Sequence, residues 1–309
     1  MRQIWIALAL LALSLISTAP ARAQNKIEVV ASFTILADLV RNVAGDRAQI
    51  TTLIGPGGDA HVYTPSPADA KRIAAARLVI VNGLGFEGWL PRLVKSSGSK
   101  ATVIEASRGI KPLEATDSDH DHKDHNHNAH THDAQFDPHA WQSVANVKAY
   151  VGNIRDALAA ADPDGAALYA ANAADYLGKL DALDSEIRAA IAKIPAQRRK
   201  VISTHDAFGY FAGAYGIAFI APQGVSTDAE ASARAVARII KQIKAEAIPA
   251  VFIETITDPR LMRRIAAETG AKIGDSLYSD SLTDENGEAP TYIAMVRHNI
   301  KALTSALGD

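Results

Sequence analysis

Ile27-Glu28-Val29-Val30-Ala31-Ser32 runs straight into Thr34-Ile35-Leu36-Ala37-Asp38-Leu39-Val40-Arg41-Asn42-Val43. The first six residues are mostly β-branched or small and read as a short strand. Ile35, Leu36, Leu39 and Val40 then recur at helical spacing. The same unit repeats outward along the chain. Residues 48–54 read as a second strand. Ser66-Pro67 opens a helix over 68–76, with Pro67 at N1 and Asp69 in the first turn. Leu78-Val79-Ile80-Val81-Asn82 is apolar enough for a strand buried on both faces. Residues 87–97 are expected to be helical and 102–105 to form a strand. Strands alternating with helices predict a parallel α/β sheet.

After residue 143 the pattern turns helical. Ser143 is a candidate N-cap for a helix ending near residue 161, and Asp162 for a second helix. In the second, Leu168, Asn172, Tyr176, Leu180, Leu183, Ile187 and Ile191 keep a three-to-four residue spacing as far as Pro195. About thirty residues at about 1.5 Å each give a rod of about 45 Å. That length suits a strut spanning two lobes, the alternative being a helical hairpin packed within one. A second α/β series follows, with strands at 200–203, 217–220, 250–253 and 272–275 and helices at 228–245, 259–269 and 292–307. No strong residue-level repeat relates the two halves.

The N-terminus reads as a secretory signal. Arg2 is a short positive region, residues 4–16 are apolar, and Ala21-Arg22-Ala23 is a cleavage site. Removing residues 1–23 from the 309 leaves 286, more than one hydrophobic core usually serves, so two lobes are expected: 24–142, then a helical segment 143–195 with a linker helix over about 163–194, then 196–309. The formal charge of −2 becomes −4 once Arg2 and Arg22 are lost, and nothing suggests a nucleic-acid partner. There is no cysteine, which excludes disulfides, thiolate metal sites and a cysteine nucleophile. It also removes the residue through which an exported protein is lipid-anchored, so the expected location is free in a periplasm.

Six of the ten histidines fall within thirteen residues: His120, His122, His125, His127, His130 and His132, interspersed with Asp119, Asp121, Asp124 and Asp133. Residues 116–135 contain too little apolar surface to offset the entropy of ordering, and a disordered loop is expected. Imidazoles and carboxylates are donors that suit zinc and its neighbours. An internal run mixed with aspartate does not resemble a purification tag. Additional weak metal sites are therefore expected here.

Three of the remaining histidines lie in distinctive loops just past predicted strands. His61 follows Gly55-Pro56-Gly57-Gly58-Asp59-Ala60, His139 lies in Phe136-Asp137-Pro138-His139-Ala140-Trp141, and His205 in Ser203-Thr204-His205-Asp206-Ala207-Phe208. Ligands bind at the carboxyl ends of strands in open α/β sheets. Taken singly, each is more simply a hydrogen-bonded loop histidine. Three together, in a chain with a His-rich run, point to a metal. A tetrahedral ion needs a fourth donor. Asp275, Asp280 and Asp284 are all available in the last such loop, and spacing does not choose among them.

Read together, these segments resemble the metal-binding solute receptors of ABC importers in the zinc/manganese group known as cluster A-I or cluster 9. Gly58-Asp59-Ala60-His61-Val62-Tyr63-Thr64-Pro65, Asp137-Pro138-His139-Ala140-Trp141, Thr204-His205-Asp206-Ala207-Phe208-Gly209 and Tyr278-Ser279-Asp280-Ser281-Leu282 match its four ligand motifs. Two positions depart: Ala60 stands where relatives commonly have Pro, and Gln142-Ser143 where Asp-Pro often follows the Trp. The resemblance implies two α/β lobes joined by a rigid helix, with one metal ion between them on His61, His139, His205 and Asp280. It places the first two residues on the first lobe and the others on the second.

Manganese-dedicated relatives often carry Glu at the third position, where this chain has His205. Three nitrogens and a carboxylate favour Zn²⁺ over the oxygen-preferring manganese. The expected function is a monomeric periplasmic receptor that delivers Zn²⁺ to an ABC permease, with a periplasmic metallochaperone as a further partner. The alternatives are a manganese receptor, a zinc buffer without a transporter, and a zinc hydrolase. The hydrolase is disfavoured because four protein ligands leave no open position for a water, and no HExxH is present.

Overall fold

The computed structural model describes residues 26–115 and 136–308, so the expected leader and the His-rich run lie outside the described residues. Strands β1 (Ile27–Phe33), β2 (Ala48–Ile54), β3 (Leu78–Val81) and β4 (Thr102–Glu105) form one parallel sheet in the order β2-β1-β3-β4. Two-residue strands β5 (Leu113–Glu114) and β6 (Phe136–Asp137) pair antiparallel. β7 (Lys200–Ile202), β8 (Ala218–Ile220), β9 (Ala250–Val251) and β10 (Lys272–Ile273) form a second parallel sheet, ordered β10-β9-β7-β8. Read from its other edge, the second sheet runs second-first-third-fourth, the connectivity of the first. The repeat that is invisible in the residues is therefore present in the topology.

Helices α1 (Thr34–Ala44), α2 (Pro67–Ala75) and α3 (Leu90–Ser97) belong to the first series. α4 (Val144–Ala161) and α5 (Ala166–Ala192) follow, and α6 (Gly209–Tyr215), α7 (Ala233–Glu246), α8 (Arg260–Thr269) and α9 (Tyr292–Leu307) belong to the second. The 27-residue α5 packs along α4 as a hairpin and also reaches both series. Near its start Asn172 donates to the Val43 carbonyl on α1 at 3.0 Å, and near its end Asp184 accepts from the Tyr215 hydroxyl on α6 at 2.9 Å.

Several expected boundaries move. Asp162 does not cap α5, which begins at Ala166 after a 3₁₀ turn. Its carboxylate is committed to Arg47, at 2.7 Å from both Nε and Nη2, and to the Tyr169 hydroxyl. Ser143 occupies the N-cap of α4 without a capping side-chain bond. α3 starts at Leu90 rather than near 87, because Gly83 and Gly85 take positive φ and Glu87 turns inward. α7 starts at Ala233 rather than 228, where the Ser232 hydroxyl accepts from the Ala235 amide. By contrast Ser66 and Asp69 form a full capping box with Pro67 at N1.

The core is not divided evenly. One continuous apolar cluster extends from Val29 to Leu307 and includes Val201 and Ala250 on the inner face of the second sheet. Their neighbours Ile202 and Val251 point to the opposite face, as strand alternation requires, and join Ile239, Ile243, Met262 and Ile265 beneath α7 and α8 in a smaller cluster. Ile80 is fully buried on β3, paired with Ala31 of β1 and Ile104 of β4. Ile80→Ala should cost about 3 kcal/mol. Urea unfolding should show a lower midpoint at unchanged slope.

Candidate metal centre

His61 is delivered by a tight turn after β2. Gly57 takes φ +71°, the left-handed region, and the Gly58 amide donates to the Gly55 carbonyl at 3.1 Å. A Cβ on Gly58 would lie 2.6 Å from the Ile54 side chain, so this turn requires glycine to fold back on its strand. The His61 backbone N–H donates to Asp59 Oδ1 at 2.9 Å. His139 follows β6, and Asp137 holds it twice through one oxygen, from the backbone N–H at 2.9 Å and from Nδ1 at 2.8 Å. Asn82, at the end of β3, donates to the Pro138 carbonyl at 2.8 Å and ties this loop to the first sheet.

His205 lies just beyond β7. Glu254, beyond the adjacent β9, accepts the Thr204 and His205 amides on Oε1 at 2.9 Å each, and its Oε2 lies 2.5 Å from His205 Nδ1. β7 and β9 are where the strand order of the second sheet reverses, the switch point at which α/β sheets bind ligands. Asp280 belongs by sequence to the second half, yet its loop is held largely by the first. The Ser279 carbonyl accepts from Trp141 Nε1 and Gln142 Nε2 at 2.8 Å each, and the Leu282 amide donates to Thr34 Oγ1 at 2.8 Å.

The structure brings His61, His139, His205 and Asp280 together, with one donor atom of each within 4.8 Å of all the others. The Nε2 atoms of His61 and His205 lie 3.2 and 3.3 Å from His139 Nε2, and each lies 3.3 Å from Asp280 Oδ2. Tetrahedral ligands at about 2.0–2.1 Å from an ion stand about 3.3–3.4 Å apart; these four separations match that spacing, and a fifth, His139 Nε2 to Asp280 Oδ1, is wider at 3.7 Å. Asp280 is 1% exposed, and neither of its carboxylate oxygens has a hydrogen-bond partner. A buried anion without donors is unstable unless a cation meets it. Asp137 and Glu254 lie against the Nδ1 atoms, so His139 and His205 turn Nε2 inward and offer its lone pair once the proton there is lost. The other aspartates considered, Asp275 and Asp284, are not in this group.

Aromatic rings wall the cluster. Phe86 meets His61 edge-on at 4.8 Å between centroids, and Trp141 lies 5.2 Å from the His139 ring. Burial draws the His139 imidazole down, but Asp280 and Asp137 outweigh it and the pKa is pushed up to about 9. For His205 burial is likewise outweighed, by Glu254 and Asp280, and the imidazole titrates well above its usual range. Burial dominates at His61 and holds its pKa down. Burial also acts to raise Asp280, but His205 and His139 outweigh it and keep the carboxylate ionised. The His139 and His205 imidazoles are thus biased toward the protonated form and Asp280 toward the anion.

Glu254 is the residue that the sequence reading missed. Its signal was an acid closing the apolar run Val251-Phe252-Ile253 at a strand end. Glu254→Gln keeps the side chain's size but removes the charge behind His205. It should weaken metal binding about 10- to 100-fold by competition titration, with the ion-to-protein ratio unchanged.

The family model described as ZnuA, zinc-uptake complex component A periplasmic, matches residues 29–306. The chain is 35% identical to the manganese-binding lipoprotein MntA of Halalkalibacterium halodurans, over 92% of this chain and 89% of that protein. It is 32% identical to the iron-binding protein YfeA of Yersinia pestis, over 96% and 93%. Among solved structures, the periplasmic zinc-binding protein TroA of Treponema pallidum matches with a TM-score of 0.83 at 30% identity, covering 92% of this chain and 100% of that one. A manganese-bound variant of the periplasmic metal-binding protein of Candidatus Liberibacter asiaticus matches with a TM-score of 0.81 at 30% identity, with the same coverage.

Proposed function

We propose, from the premise that this chain belongs to the ZnuA family of periplasmic metal-binding receptors of ABC importers, that its cargo is Zn²⁺, held by His61, His139, His205 and Asp280. Members of the family are substrate-binding proteins rather than enzymes and work with ABC permeases, so the hydrolase and the stand-alone buffer are set aside. The observation that carries the zinc reading is the donor set itself. Three inward nitrogens and one carboxylate, within 4.8 Å of one another, suit zinc better than manganese.

A manganese or iron cargo is the second reading. Both Asp280 oxygens lack partners, so a bidentate carboxylate would add a fifth donor and favour a harder ion. Relatives named for manganese and for iron share the fold. Metal analysis of protein purified without added metal decides between them: one zinc per chain supports the proposal, and manganese or iron in its place sinks it. The run from His120 to His132 would add weaker sites near His139, and deleting residues 116–135 should remove only those. The receptor would act as a monomer, loaded by the free ion or by a metallochaperone. With no cysteine in the sequence to carry a lipid, it would diffuse freely in the periplasm. Among the described residues no helix is long and apolar enough to cross a membrane.

The pH dependence follows from the imidazoles. His139 rises from 6.5 to about 9 on folding, so its protonation stabilises the metal-free protein fully below about 6.5 and that gain is lost as pH climbs to about 9. Zinc must displace this proton and the one on His205. The rise in melting temperature on adding zinc should therefore widen from pH 6 to pH 9, with proton release detectable in weakly buffered calorimetry. A pH-independent difference would contradict the assignment of His139 and His205 as ligands.

A further inference from the structure

Of the four donors, His61 alone is not closed off completely. Its side chain remains 5% exposed, whereas those of His139, His205 and Asp280 are sealed. Its loop also bonds to the opposite half of the molecule at two points. The Gly57 amide donates to Ser281 Oγ at 2.8 Å, and Asp59 Oδ2 accepts from the Thr227 hydroxyl at 2.6 Å. Asp59 is thus bonded on both sides, to the His61 amide through Oδ1 and to Thr227 through Oδ2. Immediately outside lies a cavity of about 470 Å³ whose lining includes Asp59, Thr227, Thr204, Glu230, Arg260 and Arg264. Thr204 is the residue before His205, so this cavity borders two of the four ligand loops. The Asp280 loop is not the easy part to move, since Trp141, Gln142 and Thr34 hold it from the first half.

We propose that Asp59 is a positioning residue and that the Asp59–Thr227 bond is a clasp: it holds His61 on the ion and sets how fast the ion leaves into the adjoining cavity. The proposal rests on the four-residue binding site described above. Three features support it. Asp59 reaches no donor atom of the site, so it acts only through the His61 backbone. The bond is charge-assisted, and bonds of that kind are the stronger ones. Thr227 and Asp59 are both partly exposed, so water can replace the bond once it breaks, as a reversible latch requires. An ion arriving at an open cleft meets no clasp, so capture does not depend on it, while escape does.

The test uses the full chain with Zn²⁺ as probe. Thr227→Val removes the hydroxyl at nearly constant volume, and Thr227→Ser restores it. Zinc release into excess chelator, followed by stopped flow, should quicken about 10- to 100-fold in Thr227→Val. The association rate, the stoichiometry and the melting temperature of the metal-free protein should stay close to wild type. Thr227→Ser should return release to near the wild-type rate. Unchanged release from a Thr227→Val protein that still binds one zinc overturns the clasp alone. Equal slowing of association, or failure of Thr227→Ser to rescue, also overturns it, since either marks a merely structural role. Wild-type protein that takes up no zinc overturns the underlying site and the clasp with it.

Discussion

The feature on which the rest depends is a buried carboxylate that faces only imidazoles. Asp280 is held at the meeting point of three imidazoles, and against the upward pull of burial the charges of His205 and His139 keep its carboxyl well below the usual range. Burying such a charge costs several kcal/mol unless it is compensated. In the metal-free protein the compensation comes from protons on His139 and His205, which Asp137 and Glu254 help retain. A divalent cation does the same work with one charge centre instead of two protons, which ties ion uptake to proton release.

The duplicated strand order explains why the cluster sits where it does. Each sheet reverses direction between its first and third strands, and each reversal carries a buried glutamate. In the first sheet Glu87 accepts from Ser32 Oγ at 2.6 Å and from the Asn82 amide at 2.7 Å, and burial raises its pKa to about 7. In the second, Glu254 accepts from the Thr204 and His205 amides. Only the second glutamate reaches an imidazole. The first orders strand ends that support the His139 loop through Asn82 and Pro138. Two equivalent places in one topology have thus taken different tasks, one behind the ligand and one behind the scaffold.

Much of this was legible in the chain. Alternating strand and helix signals identified both parallel series, because buried strands such as 78–81 are continuously apolar and the helices are amphipathic. The His61 and His205 loops stood out because each follows a predicted strand, and the His139 loop through its Asp137-Pro138-His139-Ala140-Trp141 run. Less was legible where tertiary contacts overrule local preference. Asp162 looks like a cap, but Arg47, 115 residues away, and Tyr169, seven residues on, claim its carboxylate. The two-residue strands β5 and β6 have no periodicity to read. Spacing left three aspartates open, and only the motif resemblance selected Asp280. Glu254 stayed hidden because an acid at the end of an apolar run reads equally well as a residue turning out to solvent. The attachment of the Asp280 loop to the first half is a matter of backbone carbonyls, which no side-chain pattern records.

Each of the four donors rides on its own loop, and each loop keeps hydrogen bonds that do not involve the other three donors. A substitution at one donor therefore changes the hardness and number of atoms offered at the common point while the scaffold that aims the remaining three is left standing. Ion preference on this architecture is a quantity that single codon changes can tune. Relatives of one fold named for manganese, iron and zinc are the outcome expected of such a modular arrangement.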